Sequence, residues 1–332
     1  MKNRFNLVAI STAASVHEQP VVCSAIIPTI GRSSVKQAVE SVLMQKLPYG
    51  ELEVIVVNDS GSSLLEAAWQ KAGRVTIINT NKRERSVARN TGAAMARGKY
   101  LHFLDDDDWL APDAYPHLWE LSQSSHAKWL YGMTQLVDRQ HRPLIQLRHN
   151  LYGNNFVQAM SGEWIPLQAS WIERETFMRI GGFNPLLAGP EDIDLLRRLL
   201  LDEEIAETPN MVACVIMGGE GSTTNHARHP HSSRRAREAI LEATGAYRRM
   251  VSSAVNSFWR GRISRVYLTS TMWNLQHRRL FTAMGRMLFF IVATLQSGLS
   301  LFSKDFWQAL IYPYASVTFE EGHQEAKRKK IA

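Results

Sequence analysis

The 332-residue sequence contains only two cysteines, Cys23 and Cys214. One pair provides neither a disulfide framework nor the paired spacing of a structural zinc site. The N-terminal residues also lack the sustained apolar stretch of a cleaved secretory signal. We therefore expect a protein of a reducing, cytoplasmic compartment.

Other absences narrow the class of function. The sequence has no internal repeat, no P-loop and no G-x-G-x-x-G fingerprint. Its 45% hydrophobic and 21% charged residues are typical of a globular protein and exclude wholesale disorder. The charge is uneven, because residues 1–220 carry a net charge of −4 and residues 221–332 a net charge of +11. We expect the two parts to meet different partners.

Apolar runs alternate with helical patterns through the first half of the chain. The runs predict buried strands at 21–30, 52–59, 74–80 and 99–105. The segments between them predict helices at 33–45, 63–72 and 85–98. This alternation indicates parallel βαβ units with helices on both faces of a sheet. Further strands are predicted at 127–138 and 210–217, with a return strand in 139–148 and a helix at 190–202.

These patterns divide the chain into four segments. We predict an N-terminal extension at 1–20, an α/β domain at 21–217, a linker or active-site loop at 218–231, and a basic helical region at 232–332.

Residues 287–303, within the helical region, carry no charge but are short for a bilayer span. Basic residues precede them, and Lys327–Lys330 follow further on. We favour a pair of helices lying on an anionic membrane surface. Packing against the α/β domain and a true transmembrane span are the alternatives.

Four candidate features lie at the ends of the predicted strands. They are Pro28-Thr29, Asn58-Asp59, the Arg85 to Asn90 region and four consecutive aspartates, Asp105 to Asp108. In open α/β sheets ligands bind at this edge. A hard divalent cation, Mg²⁺ or Mn²⁺, would relieve the repulsion between the carboxylates, together with the phosphates of a substrate. The alternative is a solvated acidic turn that caps a helix starting near Pro112.

Six fragments in order resemble the family 2 glycosyltransferases: AIIPTIGRS (25–33), ESVLMQ (40–45), LEVIVVNDSGS (52–62), SVARNTGAAMARGKYLHFLDDDDWLAP (86–112), GGFNPLL (181–187) and GPEDIDLLRRL (189–199). The resemblance covers residues 21 to 200. It implies the GT-A fold, a Rossmann-like α/β architecture with a mostly parallel sheet flanked by helices, here with a C-terminal helical extension. It also implies inverting transfer of a sugar from a nucleotide donor.

The resemblance implies roles for the matched residues on the donor side. Pro28, Thr29 and Asp59 would bind the base and ribose, with Asp59 accepting from the base edge. Arg85 and Arg89 would approach the base or the diphosphate; a solvated helix face is their alternative role.

The first three aspartates cover the family's DxD element. Asp107 is the candidate for direct metal ligation and Asp106 for the ribose. Because the run leaves the register ambiguous by one residue, Asp105 stays a candidate for both donor and metal binding.

The resemblance also implies a base and an acceptor side. Asp192 matches the base that deprotonates the acceptor, and Glu191 beside it would raise its pKa. The alternative is that Glu191 and Asp192 only stabilise a helix N-terminus through its dipole. Trp164 would line the acceptor pocket. His226 is a candidate for a further metal ligand or diphosphate contact, unless it is simply solvated.

The expected function is transfer of a sugar, first of all from a UDP-sugar, to a hydroxyl of a glycan or lipid-linked acceptor. A metal-dependent nucleotidyltransferase or phosphotransferase would give the acidic pair Glu191-Asp192 no role. A nucleic-acid-binding protein, suggested by the isoelectric point of about 9.5, would not explain acids at strand ends. A non-catalytic membrane scaffold would not explain the intact acids. We therefore expect no nucleic acid partner and a peripheral location on the inner face of the cell membrane.

Overall fold

The computed structural model describes residues 19–81, 84–148, 155–187, 189–217 and 230–312, with side chains from residue 234 onward in the last range. Within these ranges one mixed sheet carries helices on both faces, and a group of helices follows it.

The first half of the chain follows the predicted alternation. Its elements are β1 (Val21–Thr29), α1 (Val35–Leu43), β2 (Glu51–Asn58), β3 (Val75–Asn79), α2 (Arg85–Met95) and β4 (Tyr100–Phe103). The four strands are parallel and lie in the order β3-β2-β1-β4. Strands β1, β2 and β4 are buried almost throughout, because the helices cover both faces of the sheet. The carboxyl ends of the four strands therefore meet at one edge.

The helix predicted at 63–72 is wrong. Only a short 3₁₀ helix, Ala68–Lys71, forms between β2 and β3. Within it Trp69 is buried in the core, whereas Leu65 just before it is 89% exposed. The spacing of leucines and alanines suggested an apolar helical face. The segment between β2 and β3 buries only one large ring, so there is too little tertiary packing to stabilise a longer helix.

The second half adds strands of both directions. Its elements are β5 (Trp109–Leu110), α3 (Ala114–Ser124), β6 (Trp129–Val137), β7 (Pro143–Leu147), α4 (Phe156–Ser161), β8 (Ser170–Glu173), α5 (Arg174–Arg179), α6 (Glu191–Leu200) and β9 (Ile205–Ile216). Strand β8 lies antiparallel between β4 and β6, and the order continues through β9 to β5, with β7 paired to β6. Strand β9 begins earlier than predicted because its pairing with β6 runs from Ile205 to Ile216.

Five helices follow the sheet in the described part of the chain: α7 (Pro230–Glu242), α8 (Ala246–Ser253), α9 (Ser257–Gln276), α10 (Leu280–Gln296) and α11 (Lys304–Ile311). Residues of α7, α8 and α9, such as Leu241, Met250 and Val266, share one apolar core with α4 and α6. The alternative of packing against the α/β domain concerned residues 287–303. Of these, Ala293 belongs to the same core and Phe290 packs against it, whereas most of the large side chains of α10 are exposed. Among the described helices, none is both long enough and apolar enough to cross a bilayer.

Helix α2 lies against β1 and β2 at a glycine. A Cβ added at Gly92 would lie 2.5 Å from Ile26 Cγ2 and 3.1 Å from Val57 Cγ2. Neither branched side chain has a flexible end that could move aside. The close approach places the first turns of α2 at the carboxyl edge of the sheet.

We predict that Gly92→Ala lowers the free energy of unfolding by about 1 to 3 kcal/mol, because overpacking outweighs the gain in helix propensity. The matched control is Gly285→Ala in α10, where an added Cβ meets nothing within 4 Å. That change should stabilise the protein by roughly 0.5 to 1 kcal/mol. Urea denaturation measures both, and equal effects of the two changes would contradict the close packing.

Candidate active site

A cavity of about 550 Å³ opens at the carboxyl edge of the sheet. The ends of β1, β2 and β4 form one side of it, and the first residues of α2 and α6 form another. It collects every predicted site residue that the structure describes: Pro28, Thr29, Asp59, Arg85, Arg89, Asp105, Asp106, Asp107, Trp164, Glu191 and Asp192. The remaining candidate, His226, lies outside the described residues.

Asp59, which follows β2, is held by two donors. Its Oδ1 accepts from Thr80 Oγ1 at 2.8 Å and its Oδ2 from the backbone N–H of Glu84 at 2.8 Å. The Glu84 side chain in turn caps α2 by accepting from two backbone N–H groups of its first turn. Asp59 is therefore fixed where β2 ends and α2 begins.

The aspartate run is a hydrogen-bonded turn with two buried and two partly exposed side chains, which contradicts the alternative of a solvated acidic cap. Asp106 is buried and accepts from Thr29 Oγ1 at 2.6 Å and from Arg32 Nη1 at 2.7 Å. Asp108 is also buried and accepts from the backbone N–H of Ile216 at 2.9 Å. The run thus connects the end of β1 with the end of β9.

Arg89 joins this run to the acidic pair of α6. Its side chain is 3% exposed, and it donates to Asp105 Oδ1 at 2.6 Å and to Glu191 Oε1 at 2.9 Å. Gln168 Nε2 binds the other oxygen of Asp105 at 2.9 Å. Burial alone would lower the pKa of Arg89, but the charges of Asp105 and Glu191 raise it above its ordinary value. The alternative of a solvated helix face is therefore wrong for Arg89.

Arg85, one turn earlier on α2, is different. Its side chain is 39% exposed and its Nη1 lies 3.7 Å from Glu191 Oε1. Arg85 faces the cavity from the solvent side, so the structure distinguishes two arginines that the sequence treats alike.

The Asp192 carboxyl group is partly buried beside a second acid. Burial, and then the negative charge of Glu191, raise the pKa of Asp192 to about 7. A hydrogen bond from the backbone N–H of Ile193, at 2.7 Å, opposes this shift. Asp194, in the same helical turn, binds Arg198 instead. The first turn of α6 thus contains the acids typical of a helix N-terminus, and one of them titrates near neutrality.

A tight turn holds α6 in this position. Gly181 and Gly182 both have positive φ angles, of 85° and 63°, which favour glycine. The side chain of Asn90 on α2 donates to the backbone carbonyl of Phe183 at 2.8 Å and accepts from its N–H at 2.9 Å. Arg198 donates to the Gly182 carbonyl at 2.7 Å. The turn therefore connects α2 to α6 on the side of the base.

Asp107 is the carboxylate best placed to bind a cation. Both oxygens of Asp105 and both of Asp106 already accept from protein donors, whereas the nearest cation to Asp107 is Arg32, with its Nη1 at 3.8 Å. Burial and the charges of Asp105 and Asp106 raise the pKa of Asp107. Among the described residues, no group of three or more His, Cys, Asp or Glu side chains could hold a metal ion by itself. A cation at Asp107 would therefore need oxygen ligands from a substrate.

Arg32 and Gln168 are residues of the site that no sequence motif indicated. Arg32 lies in a matched fragment, three residues after Thr29. Its positive charge at the same sheet edge as the four aspartates could have indicated a contact with them. Gln168 precedes β8, and its contact with Asp105 depends on the position of β8 between β4 and β6. No sequence pattern indicates that contact.

Solved structures share this fold. The chain is similar to the crystal structure of Staphylococcus aureus TarS residues 1–349 in complex with UDP-GlcNAc, with a TM-score of 0.56 at 13% identity, covering 87% of this chain and 82% of that one. A second crystal structure of TarS residues 1–349 is similar to this chain with a TM-score of 0.53. The predicted GT-A fold, with a mixed α/β sheet flanked by helices, is confirmed.

The sequence comparisons point to a family. Residues 24–177, slightly under half of the chain, match the profile of glycosyl transferase family 2, which supports the resemblance drawn from the six fragments.

Two curated relatives are similar to this chain over part of its length. An uncharacterized glycosyltransferase of Haemophilus influenzae is 28% identical over 198 residues, which is 56% of this chain and 64% of the relative. The poly(ribitol-phosphate) beta-N-acetylglucosaminyltransferase TarP of Staphylococcus aureus is 29% identical over 115 residues, 33% of this chain and 35% of TarP. The chain thus spans less than two thirds of these relatives.

We predict that Arg89→Met lowers the free energy of unfolding by about 3 to 5 kcal/mol at pH 7, because it leaves two carboxylates without their shared cation. The partly exposed Arg85→Met is the matched control and should cost less than about 1 kcal/mol. Denaturant titrations of both variants measure the difference.

The effect of Arg89→Met should depend on pH. Burial opposes the lowered pKa of Asp105, but Arg89 and then Arg85 keep it below its ordinary value. The stabilisation from Asp105 is thus present above about pH 4 and is lost as the pH falls through the lowered pKa. The difference between wild type and variant should shrink in acid; a constant difference would argue against the ion pair as its cause.

Proposed function

We propose that the protein is an inverting glycosyltransferase that moves a sugar from a nucleotide-diphosphate sugar to a hydroxyl of a glycan or lipid-linked acceptor. The observation that carries the proposal is the single cavity in which Asp59, the aspartate run and Asp192 meet. A UDP-sugar is the first donor to test, since the solved TarS structure contains UDP-GlcNAc and TarP is named a β-N-acetylglucosaminyltransferase.

The donor would lie along the ends of β1, β2 and β4. Asp59, fixed by Thr80 and the Glu84 backbone, would accept from the base edge. Pro28 and Thr29 line the same wall of the cavity, beside Asp106. Mg²⁺ or Mn²⁺ bound at Asp107 would supply positive charge for the departing diphosphate. Arg32 and Arg85, both partly exposed at the cavity, place two more positive charges near that position.

Transfer would proceed by direct displacement. The Asp192 carboxylate takes the proton of the acceptor hydroxyl as its oxygen bonds to the anomeric carbon. The bond from that carbon to the diphosphate oxygen breaks on the opposite side, so the configuration inverts and the nucleotide leaves with the bonding pair. A base with a pKa of about 7 is matched to this task at neutral pH. Arg89 would act as a positioning residue that holds Glu191 beside the base.

The acceptor would enter on the side of Trp164, whose ring is partly exposed at the cavity. Apolar residues of β6 and β9, Leu136 and Ile216, extend the same wall. The basic C-terminal part of the chain supports an acceptor at an anionic membrane surface, which is the reason for proposing a lipid-linked glycan.

The arrangement favours this reaction over the two alternatives. A nucleotidyltransferase or phosphotransferase would use the aspartate run but would give no role to a buried carboxylate of pKa about 7 on α6. A non-catalytic scaffold would not need Arg89 buried between two groups of acids.

The donor is tested by a thermal-shift panel of UDP-, GDP- and dTDP-sugars with Mn²⁺. We expect a UDP-sugar to raise the melting temperature because it binds only the folded state. Asp107→Ala should remove the part of the shift that depends on Mn²⁺, and the exposed Glu66→Ala, as control, should keep it. If no nucleotide sugar stabilises the wild type, the donor proposal is wrong.

The base is tested by Asp192→Asn. This variant should bind the donor as wild type does, yet its kcat should fall by about 10²- to 10⁴-fold because the acceptor proton has no base. The exposed Asp202→Asn is the control and should turn over normally. Normal turnover by Asp192→Asn would place the base elsewhere.

The pH profile is a separate test of the same group. Asp192 must be deprotonated to act as a base, so kcat/KM should rise with pH to a plateau, with an inflection near pH 7. Below the inflection it should fall about tenfold per pH unit. A flat profile between pH 5 and 8 would contradict the assignment.

A further inference from the structure

Helix α10 exposes large apolar side chains along one face. They recur every three or four residues, which is the spacing of a single helical stripe. We call this stripe the α10 outer face: Leu280, Phe281, Met284, Met287, Leu288, Ile291 and Leu295, all exposed. Leu299 and Phe302, in the 3₁₀ turn after the helix, are about 90% exposed and extend the apolar surface.

The one charged residue between Leu280 and Ser303 is turned inward. Arg286 is 6% exposed, donates to the Leu241 carbonyl at 3.1 Å, and its Nε lies 3.7 Å from Glu238 Oε2. A surface arginine would normally reach into water. Here the charge is directed at a buried carboxylate, so the α10 outer face has no charge at all.

The opposite side of α10 already has its partners. Ala283 and Ala293 are buried, and Thr294 Oγ1 donates to Ser264 Oγ on α9 at 3.1 Å. Phe289 packs beside Tyr247, with ring centroids 4.9 Å apart, and Phe290 packs against the core. The inner side therefore holds the helix on the protein, while most of its other large apolar side chains face outward. A helix that is apolar all round is normally covered on both sides.

Basic residues flank the α10 outer face. Arg278 and Arg279 precede it and Lys304 follows it, all exposed. Of these, Arg279 is paired with Glu242 at 2.7 Å. The region from residue 221 onward has a net charge of +11, including Lys327–Lys330 beyond the described residues. The surface that covers this face should therefore be apolar at its centre and anionic at its margin.

We infer that the α10 outer face binds the surface of an anionic lipid bilayer, with the helix axis in the membrane plane. The helix is 17 residues long, or about 25 Å, and its fixed inner side leaves one side for lipid. Large apolar side chains between basic residues are typical of helices at the boundary of headgroups and acyl chains. Anionic headgroups supply the negative charge that attracts the basic residues at both ends of the face.

A second copy of the chain fits this face less well. In a two-fold dimer, facing copies of α10 would bring arginines and lysines of equal sign towards each other at the ends of the stripe. Glu242 already pairs with Arg279 and Asp305 adjoins Lys304, but the segment 280–303 contains no acid that could offset the charge of Arg278. The lipid surface satisfies both the apolar and the electrostatic requirement.

The test is co-sedimentation of the full chain with extruded vesicles. One set contains equal parts of phosphatidylcholine and phosphatidylglycerol, and the other contains phosphatidylcholine alone. We expect the wild type to partition to the anionic vesicles, and the double change Phe281→Ser with Leu288→Ser to weaken that partition by at least about tenfold. Both side chains are exposed, so the variant should keep its melting temperature.

The matched control is Leu65→Ser with Met44→Ser, two equally exposed apolar residues of the α/β domain, which should partition as wild type. Wild type that stays in the supernatant, or a double variant that pellets fully, would overturn the inference. If the wild type partitions equally to neutral and anionic vesicles, the inference that the lipid surface must be anionic is wrong. A wild-type dimer that the double variant turns into a monomer would assign the face to a second copy. Donor-induced stabilisation, measured in parallel, reports separately on the transferase proposal.

Discussion

Arg89 holds together two groups of carboxylates that would otherwise repel each other. One of its nitrogens binds Asp105 after β4, and the other binds Glu191 at the start of α6. These residues lie far apart in sequence, so the contact connects the strand edge to the second half of the domain. A buried guanidinium costs much desolvation energy unless it is paired. Here two acids, each bound by a different terminal nitrogen, offset part of that cost, although the buried Nε has no hydrogen-bond partner. The acidic edge is stable because this cation lies inside it.

The distance of each acid from the Arg89 cation also affects its pKa. Asp105 is held anionic by Arg89, whereas Asp192, next to Glu191 and away from a direct cation contact, is shifted to a pKa of about 7. Asp107 keeps the most acceptor capacity towards the cavity. Similar carboxylates thus differ in protonation because their nearest charges differ, and pairs of acids with divergent pKa values are typical of sites that move protons.

The C-terminal helices have two distinct surfaces. Helices α7 to α9 complete the core below α4 and α6, so the α/β domain alone would leave residues such as Leu195 and Phe156 partly uncovered. Helix α10 turns Ala283, Ala293 and two phenylalanines towards the protein and most of its other large apolar side chains outward. The buried pair of Arg286 and Glu238 makes this possible, because it removes the only charge from the outward side.

Much of the site could be predicted from sequence because its local signals are strong. Buried strands are continuous apolar runs, and parallel strands end at one edge, so Thr29, Asp59 and the aspartates had to lie close together. The prediction of a helix at 63–72 was wrong because the spacing of a few apolar residues does not show how many of them the core will bury. The contacts of Arg32 and Gln168 were missed because they join segments that only the sheet order brings together.

The sequence by itself determined the α/β alternation, the resemblance to a family and the candidate acids, since each depends on local periodicity or on a short motif. Only the tertiary structure decided which arginine is buried, which carboxylate titrates near pH 7 and which side of α10 faces outward. Those properties depend on desolvation and on the distance between charges, and both are set by segments that meet only in the folded chain.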